Sequence, residues 1–179
     1  MSGSNVVATR YATALFELAR EKGVLDAVNA DVESIAAQVA SGALRELLDQ
    51  RSAPERKQAL VEALVSKQNK LTANLVRLLA TRRRLEVLRG LPAAFRRCVL
   101  TERGQVEGVV ECARPIAGGE LAEIAVAVGS LLGKQVLLSS RVNPELIAGV
   151  RVFVDNRLID QSAAGRLDSL RRKLSLARL

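Results

Sequence analysis

Apolar residues recur at helical spacing through about the first hundred residues. One stripe at i, i+3, i+4 spacing is formed by Leu25, Val28, Val32, Ile35 and Val39. Further helical periods follow at residues 44–48, 60–65, 71–79 and 85–99. With an apolar first helix before them, these periods predict an N-terminal six-helix bundle over residues 1–104.

The pattern changes at Gly104, where short β-branched runs replace the helical period. Strands are predicted at residues 106–112, 135–139, 150–154 and 157–160. A helix over about 121–132, ended by Gly133, separates the first two strands, and the dipeptide Asp155-Asn156 suits a tight turn between the last two. A final helix is predicted from about Ser162. The fold class is therefore mainly α, with a small α+β C-terminal domain over residues 105–179.

Composition narrows the possible functions. Hydrophobic residues make up 49% of the 179 residues but aromatic residues only 2%, so the core must be built from Leu, Val, Ile and Ala. No apolar run approaches the roughly 18 residues of a membrane span. Arg10, Glu17 and Arg20 lie where a signal peptide would be apolar, which predicts a cytoplasmic protein.

The sequence favours a protein without catalytic, cofactor or metal sites. The chain has no histidine, and Cys98 and Cys112 are its only cysteines, which predicts neither a zinc site nor a disulfide framework. Residues 129–135 resemble a phosphate-binding loop, but the glycine spacing is one residue short and Gln135 replaces the hydroxyl that would bind magnesium. We therefore predict that the protein is not itself an enzyme.

Positive charge is concentrated in residues 67–103. This stretch holds ten Lys and Arg against two Glu, a net charge of +8, which equals that of the whole chain. Such a stretch suits an acidic protein surface, nucleic acid or lipid headgroups, or it is a solvated helix face. An RNA-binding helical protein is thus an alternative, although Phe95 is the only aromatic residue available there for stacking on bases.

The first predicted helix has more apolar surface than a helix bundle needs. Thr9, Thr13, Glu17 and Arg20 form a narrow polar stripe with Arg10 beside it, and the other positions from Val6 to Ala19 are apolar. A helix that covers a core needs an apolar arc only somewhat wider than 100°. This helix is therefore either the central helix of the bundle or buries a second face against a partner.

Three segments carry a resemblance to a known family. They are residues 10–19 (RYATALFELA), residues 74–79 (NLVRLL) with Arg84-Leu85, and residues 142–150 (VNPELIAGV) followed by 159–162 (IDQS) and 165–167 (GRL). In order and spacing they resemble the delta subunits of F-type ATP synthases and the mitochondrial oligomycin-sensitivity-conferring protein. The chain departs from the family pattern at Arg82-Arg83-Arg84 and at Asp155, where glycine is common.

The resemblance implies a non-catalytic stator connector that resists rotor torque during proton-driven ATP synthesis. In that family the N-terminal domain binds the catalytic head, where a groove between the first and fifth helices receives the N-terminal helix of an alpha subunit. The C-terminal domain binds the ends of the peripheral-stalk b subunits. The resemblance also implies that the protein binds no cofactor and makes no direct contact with nucleic acid. It further implies a peripheral location on the cytoplasmic face of the membrane, where the protein is held only through the complex.

Mapping the groove onto this chain gives six candidate partner-binding residues. They are Tyr11, Ala14, Leu15, Leu18, Leu75 and Leu79. A small residue such as Ala14 would let a second helix approach closely, and Tyr11 would offer a large apolar body with a polar tip. The sequence defines these positions but not the rotation of either helix about its axis.

Overall fold

The computed structural model describes residues 3–49, 53–146, 148–155 and 157–161. The chain divides into two compact units between Val99 and Leu100. The first is helical, and the second contains a four-stranded sheet with one helix described beside it. The prediction of a mainly α protein with a smaller α+β region is confirmed at this level.

Six α-helices and one 3-10 helix precede the sheet in the described residues. They are α1 (Gly3–Glu21), α2 (Leu25–Ala40), α3 (Arg45–Leu48), α4 (Pro54–Val65), α5 (Lys70–Thr81), the 3-10 helix Leu85–Arg89, and α6 (Leu91–Glu102). The period over residues 85–99 predicted one continuous helix, and the structure divides it at Gly90. Pro92 lies in the first turn of α6, and because proline lacks an N–H and crowds the preceding turn, an α-helix does not continue through it.

The core of the first unit is aliphatic, apart from one aromatic pair. The rings of Phe16 and Phe95 meet edge to face with centroids 6.0 Å apart. Around them, every helix and the 3-10 helix contribute buried Val, Leu, Ile or Ala side chains. With so few aromatic residues, close packing depends on small side chains such as Ala12 and Ala19, both fully buried, which let neighbouring helices approach.

Two polar contacts hold α5 in place. At its start, Asn69 caps the helix by accepting a hydrogen bond from the backbone N–H of Leu71 (3.0 Å), while its own N–H donates to Asp31 of α2 (2.7 Å). Along its length, Arg77 donates two hydrogen bonds to Glu62 of α4, at 3.0 and 2.8 Å. These contacts fix the rotation of α5 and therefore which of its side chains reach the surface.

The second unit contains β1 (Gln105–Cys112), α7 (Gly118–Leu132), β2 (Gln135–Val142), β3 (Val150–Val154) and β4 (Arg157–Asp160), in the sheet order β2-β1-β3-β4. β1 pairs in parallel with β2 and antiparallel with β3, and β4 pairs antiparallel with β3. The four predicted strands are confirmed, with β2 three residues longer than predicted because β1 pairs with it as far as Val142. The helix predicted from Ser162 lies outside the described residues.

One face of the sheet packs against α7. Val106, Val110 and Val152 lie on this face with Val128 of the helix. Gly108 lies between them, and a Cβ atom there would clash with the side chains of Val154 and Leu138 and the carbonyl oxygen of Phe153. The central strand therefore tolerates only glycine at this position without repacking.

Among the residues that the structure describes, two that are not glycine adopt positive φ, namely Arg83 at 55° and Asp155 at 48°. In the family that the sequence resembles, glycine is common at the position of Asp155, and the stretch that corresponds to residues 82–84 commonly includes one. Arg83 follows Arg82, the C-cap residue of α5, at the position where a left-handed residue commonly ends a helix. Its backbone conformation costs a residue with a Cβ atom roughly 1–2 kcal/mol.

Replacing Arg83 with glycine should therefore stabilise the first unit. Against this relief, the conformational entropy that glycine loses on folding costs about 0.5–1 kcal/mol, so we expect Arg83→Gly to gain up to about 1.5 kcal/mol of stability. The control is Arg82→Gly, because Arg82 has an ordinary φ of −84° and glycine there should destabilise by about 0.5–1 kcal/mol. Urea denaturation of both variants measures the difference, and equal effects would contradict the argument.

A row of alternating charge crosses the sheet on the face away from α7. Glu111 of β1 lies opposite Arg141 of β2 and Arg151 of β3, and Arg151 lies opposite Asp160 of β4. Arg141 donates a hydrogen bond to the Glu111 carboxylate, Asn143 donates a second at 3.1 Å, and Arg151 donates to Asp160 at 3.2 Å. The hydrogen bonds from Arg141 and Asn143 lower the pKa of Glu111, against the opposing effect of burial.

This network should make the second unit sensitive to acid. Because the folded-state pKa of Glu111 is lowered, below an unfolded value of about 4.3, its contribution is complete above that pH and is lost as pH falls through the folded-state pKa. Glu111→Gln should therefore be less stable than wild type at pH 7 and approach it in acid. Urea midpoints from pH 7 to about 2.5 test this, with Glu123→Gln as control, because Glu123 is exposed on α7 beyond its first turn. A constant difference between Glu111→Gln and wild type would contradict it.

Candidate partner-binding surfaces

Helix α1 buries one face and exposes a second apolar stripe. The buried face consists of Ala8, Ala12, Leu15, Phe16 and Ala19. A second apolar stripe lies beside this face and is formed by Val7, Tyr11, Ala14 and Leu18, at spacings of four, three and four residues. We call it the α1 stripe. Ala14 is exposed, Leu18 is 45% exposed, and Val7 and Tyr11 are half-buried.

Helix α5 has the same organisation. Thr72, Ala73, Val76 and Leu79 form its buried face. Leu71 and Leu75 are half-buried at one edge of this face, and Leu78, beside them, is 44% exposed. We call these three leucines the α5 stripe. They lie on the flank of α5 away from Arg77, whose pairing with Glu62 marks the side that packs against α4.

The structure separates the six predicted residues into two groups. Leu15 and Leu79 are 4% and 0% exposed and belong to the core of the first unit. Ala14 and Leu18 are exposed, and Tyr11 and Leu75 pack against the core with part of their surface free. The four outward residues lie on the α1 and α5 stripes.

Sequence reasoning missed Leu78 as a surface residue. Leu78 and Leu79 are adjacent, so their side chains point about 100° apart on a helix and both cannot lie at the centre of one buried face. That adjacency was the available signal. It did not show which leucine faces outward, because this depends on the contacts that fix the rotation of α5.

The sheet exposes apolar side chains on the face away from α7. Val109 lies opposite Phe153, and Phe153 lies opposite Leu158, so three strands contribute neighbouring side chains. Leu137 of β2 lies on the same face, diagonal to Val109. All four are at least one-third exposed. This sheet stripe crosses all four strands beside the row of paired charges.

The described residues offer little for chemistry. They contain no group of three or more His, Cys, Asp or Glu side chains placed to hold a metal ion. The segment that resembles a phosphate loop ends a helix, since Gly133 is the left-handed cap of α7, and the Lys134 ammonium lies 3.7 Å from Asp155. Among the described helices, none combines the length and apolarity required to cross a bilayer.

The chain matches known proteins over nearly its whole length. Residues 7–174 match the family model described as ATP synthase delta (OSCP) subunit. The chain is 36% identical over 178 residues to ATP synthase subunit delta of Carboxydothermus hydrogenoformans, covering 96% of this chain and 98% of the relative. It is 37% identical over 172 residues to the subunit of the same name from a Caulobacter species, with 94% of each chain covered.

The fold also matches a solved structure. A chain from the cryo-EM structure of the Toxoplasma gondii mitochondrial ATP synthase hexamer superimposes with a TM-score of 0.73 at 23% identity, covering 97% of this chain and 98% of that chain. The match in fold extends across both units. On the family model, the curated relatives and the shared fold, this chain belongs to the ATP synthase delta (OSCP) subunit family.

Proposed function

We propose that the chain is a non-catalytic connector in the stator of an F-type ATP synthase. It would link the alpha/beta catalytic head to the b-subunit peripheral stalk and so resist rotor torque during proton-driven synthesis. The observation that carries this proposal is the pair of apolar stripes on α1 and α5, which these helices expose beside their buried faces. Family membership supports the same role.

The α1 and α5 stripes suit an amphipathic helix as partner. The two helices pack against each other. Each makes a contact with a further helix on its other flank: Thr13 of α1 lies 3.8 Å from Cys98 of α6, and Arg77 of α5 pairs with Glu62 of α4. The stripes therefore offer a groove along the α1–α5 contact, with small Ala14 permitting close approach. We assign this groove to the N-terminal helix of an alpha subunit.

The second unit would bind the C-terminal ends of the b subunits through its sheet stripe. Phe153 and Leu158 are 41% and 54% exposed, although residues of this size are more often buried. The stripe lies across the face of the sheet, not along an edge, so it suits the apolar side of a packed helix better than an added strand. The neighbouring charges are paired with each other and leave the apolar residues as the attractive surface.

The proposed mechanism is mechanical. A connector under torque must hold both partners through interfaces that dissociate slowly, and burial of apolar surface contributes about 25 cal/mol per Å² removed from water. No cofactor or catalytic group takes part. The chain would lie at the cytoplasmic face of the membrane only as part of the assembled complex.

Ala14→Arg should separate binding from stability. In the groove, the guanidinium would lose water without gaining a partner, so binding of a synthetic alpha N-terminal peptide should weaken by about 3 kcal/mol, more than a hundredfold in Kd. In the free protein Ala14 is exposed, and stability should change by less than about 1 kcal/mol. Calorimetric titration and thermal melting measure the two quantities.

Ala30→Arg is the matched control, because Ala30 is exposed on α2 away from the groove. It should bind the peptide like wild type. Loss of folding in Ala14→Arg, or equal loss of binding in both variants, would place the docking surface elsewhere.

Phe153→Glu should disrupt the second interface alone. A carboxylate in the centre of the sheet stripe would be desolvated by a bound helix, so affinity for a dimeric b-subunit fragment should fall at least about tenfold. Binding of the alpha peptide should be unchanged. Leu131→Glu, which adds the same charge at a residue of α7 that is 75% exposed, is the control.

A fragment of residues 1–104 removes the second interface entirely and tests the proposed domain boundary. It should fold and bind the alpha peptide but not the b-subunit fragment. An unfolded fragment, seen by circular dichroism, would show that residues 1–104 are not an independent domain.

A further inference from the structure

The flank of α5 away from its leucine stripe borders a cleft of about 810 Å³. The cleft lies between α3, α4, the C-terminal end of α5 and the 3-10 helix. Its floor is aliphatic and is formed by Leu47, Leu48, Val61, Ala80 and Leu85. Leu48 and Ala80 are only half-buried, so part of this floor is open to a ligand.

The rim of the cleft carries an excess of positive charge. Lys57, Arg77 and Arg83 line it together with Glu62 and Glu86. The bidentate pair between Arg77 and Glu62 neutralises one charge of each sign and lowers the pKa of Glu62, chiefly through its hydrogen bonds. Arg82 and Arg84 flank Arg83 and are exposed, which adds two further positive charges at this end of the unit.

Arg83 is the most informative of these residues. It holds a left-handed backbone conformation that glycine would adopt without strain. Within the described part of the chain, neither Arg83 nor Lys57 forms an ion pair. With Arg77 and Glu62 neutralising each other, these two cations stand against the single carboxylate of Glu86, so the rim keeps a net positive charge.

We propose that this cleft binds an acidic peptide segment, whose aliphatic side chains contact the floor and whose carboxylates pair with Lys57 and Arg83. The site is separate from the groove proposed between α1 and α5, since it uses the opposite flank of α5. Arg77 and Arg83 belong to the basic stretch 67–103, so the proposal assigns carboxylates as the binding partner for part of that stretch.

The chemistry of the cleft favours a peptide over a phosphate ligand. Its lining residues include no aromatic side chain on which a base could stack. A free phosphate could pair with the rim but would leave the aliphatic floor uncovered. A peptide can place carboxylates at the rim and aliphatic side chains on the floor at the same time.

The test measures binding of a defined probe to the full chain. The probe is a fluorescein-labelled peptide of about 14 residues, roughly 21 Å long as a helix, with Leu on one face and Glu on the other. A second probe carries Gln in place of Glu. Fluorescence anisotropy at about 0.15 M salt, where long-range attraction is screened, should show binding of the Glu probe and much weaker binding of the Gln probe.

Three variants distinguish the cleft from general attraction to a basic protein. Arg83→Asn removes the charge with a residue that tolerates the left-handed conformation, and Leu48→Gln makes the floor polar. Each should weaken binding of the Glu probe about fivefold or more. Lys70→Gln removes one exposed charge from the other end of α5 and should change binding less than about twofold.

An equal effect of Lys70→Gln and Arg83→Asn, or no effect of Leu48→Gln, would overturn the proposal, as would displacement of the probe by single-stranded RNA. Thermal melting confirms that each variant is folded, and Ala80→Gln provides a second floor variant should Leu48→Gln unfold. Ala14→Arg should bind the Glu probe normally, and Arg83→Asn should bind the alpha peptide normally. Failure of this site is therefore distinguishable from failure of the proposed stator function.

Discussion

A helix of 3.6 residues per turn can bury one face in an aliphatic core and still present both flanks to solvent. Helix α5 illustrates this constraint. Thr72, Val76 and Leu79 anchor it in the core, while Asp31 and Glu62 hold its start and one side. One flank then carries leucines toward the proposed helix groove, and the other borders the basic cleft. The rotation of this single helix decides what the first unit offers to partners.

Much of the fold could be predicted from the sequence because its periods are regular. Short strand-like runs bounded by turn residues located all four strands, and Gly133 ended α7 as its position indicated. The break at Gly90 was missed because apolar spacing continues across it, from Leu88 through Leu91 to Phe95. The spacing of apolar residues indicates which side chains face a core. Pro92 changes the backbone hydrogen bonding but leaves that spacing unaltered, so the break has no effect on the apolar pattern.

The candidate surfaces were predictable only in part, since exposure depends on contacts between distant segments. The apolar surplus of α1 was visible in the sequence, and Ala14 and Leu18 do face outward. Leu15 and Leu79 are apolar residues at the same helical spacing as Ala14 and Leu18, but their side chains point into the core. The cleft gave no sequence signal, because its floor combines residues from α3, α4, α5 and the 3-10 helix. The residue with positive φ, Arg83, does lie within the stretch 82–84, where the family commonly has a glycine.

The position of β1 at the centre of the sheet also bears on how the chain folds during synthesis. β1 is the first strand made, yet its neighbours are β2, reached only after the whole of α7, and β3, paired through Val154. Closing such long loops is slow relative to the formation of local helical contacts. Until the ribosome has added β2 at residues 135–142, β1 has no strand to pair with, so its backbone groups and valine side chains stay exposed. Unpaired strand edges of this kind favour misassociation of a nascent chain.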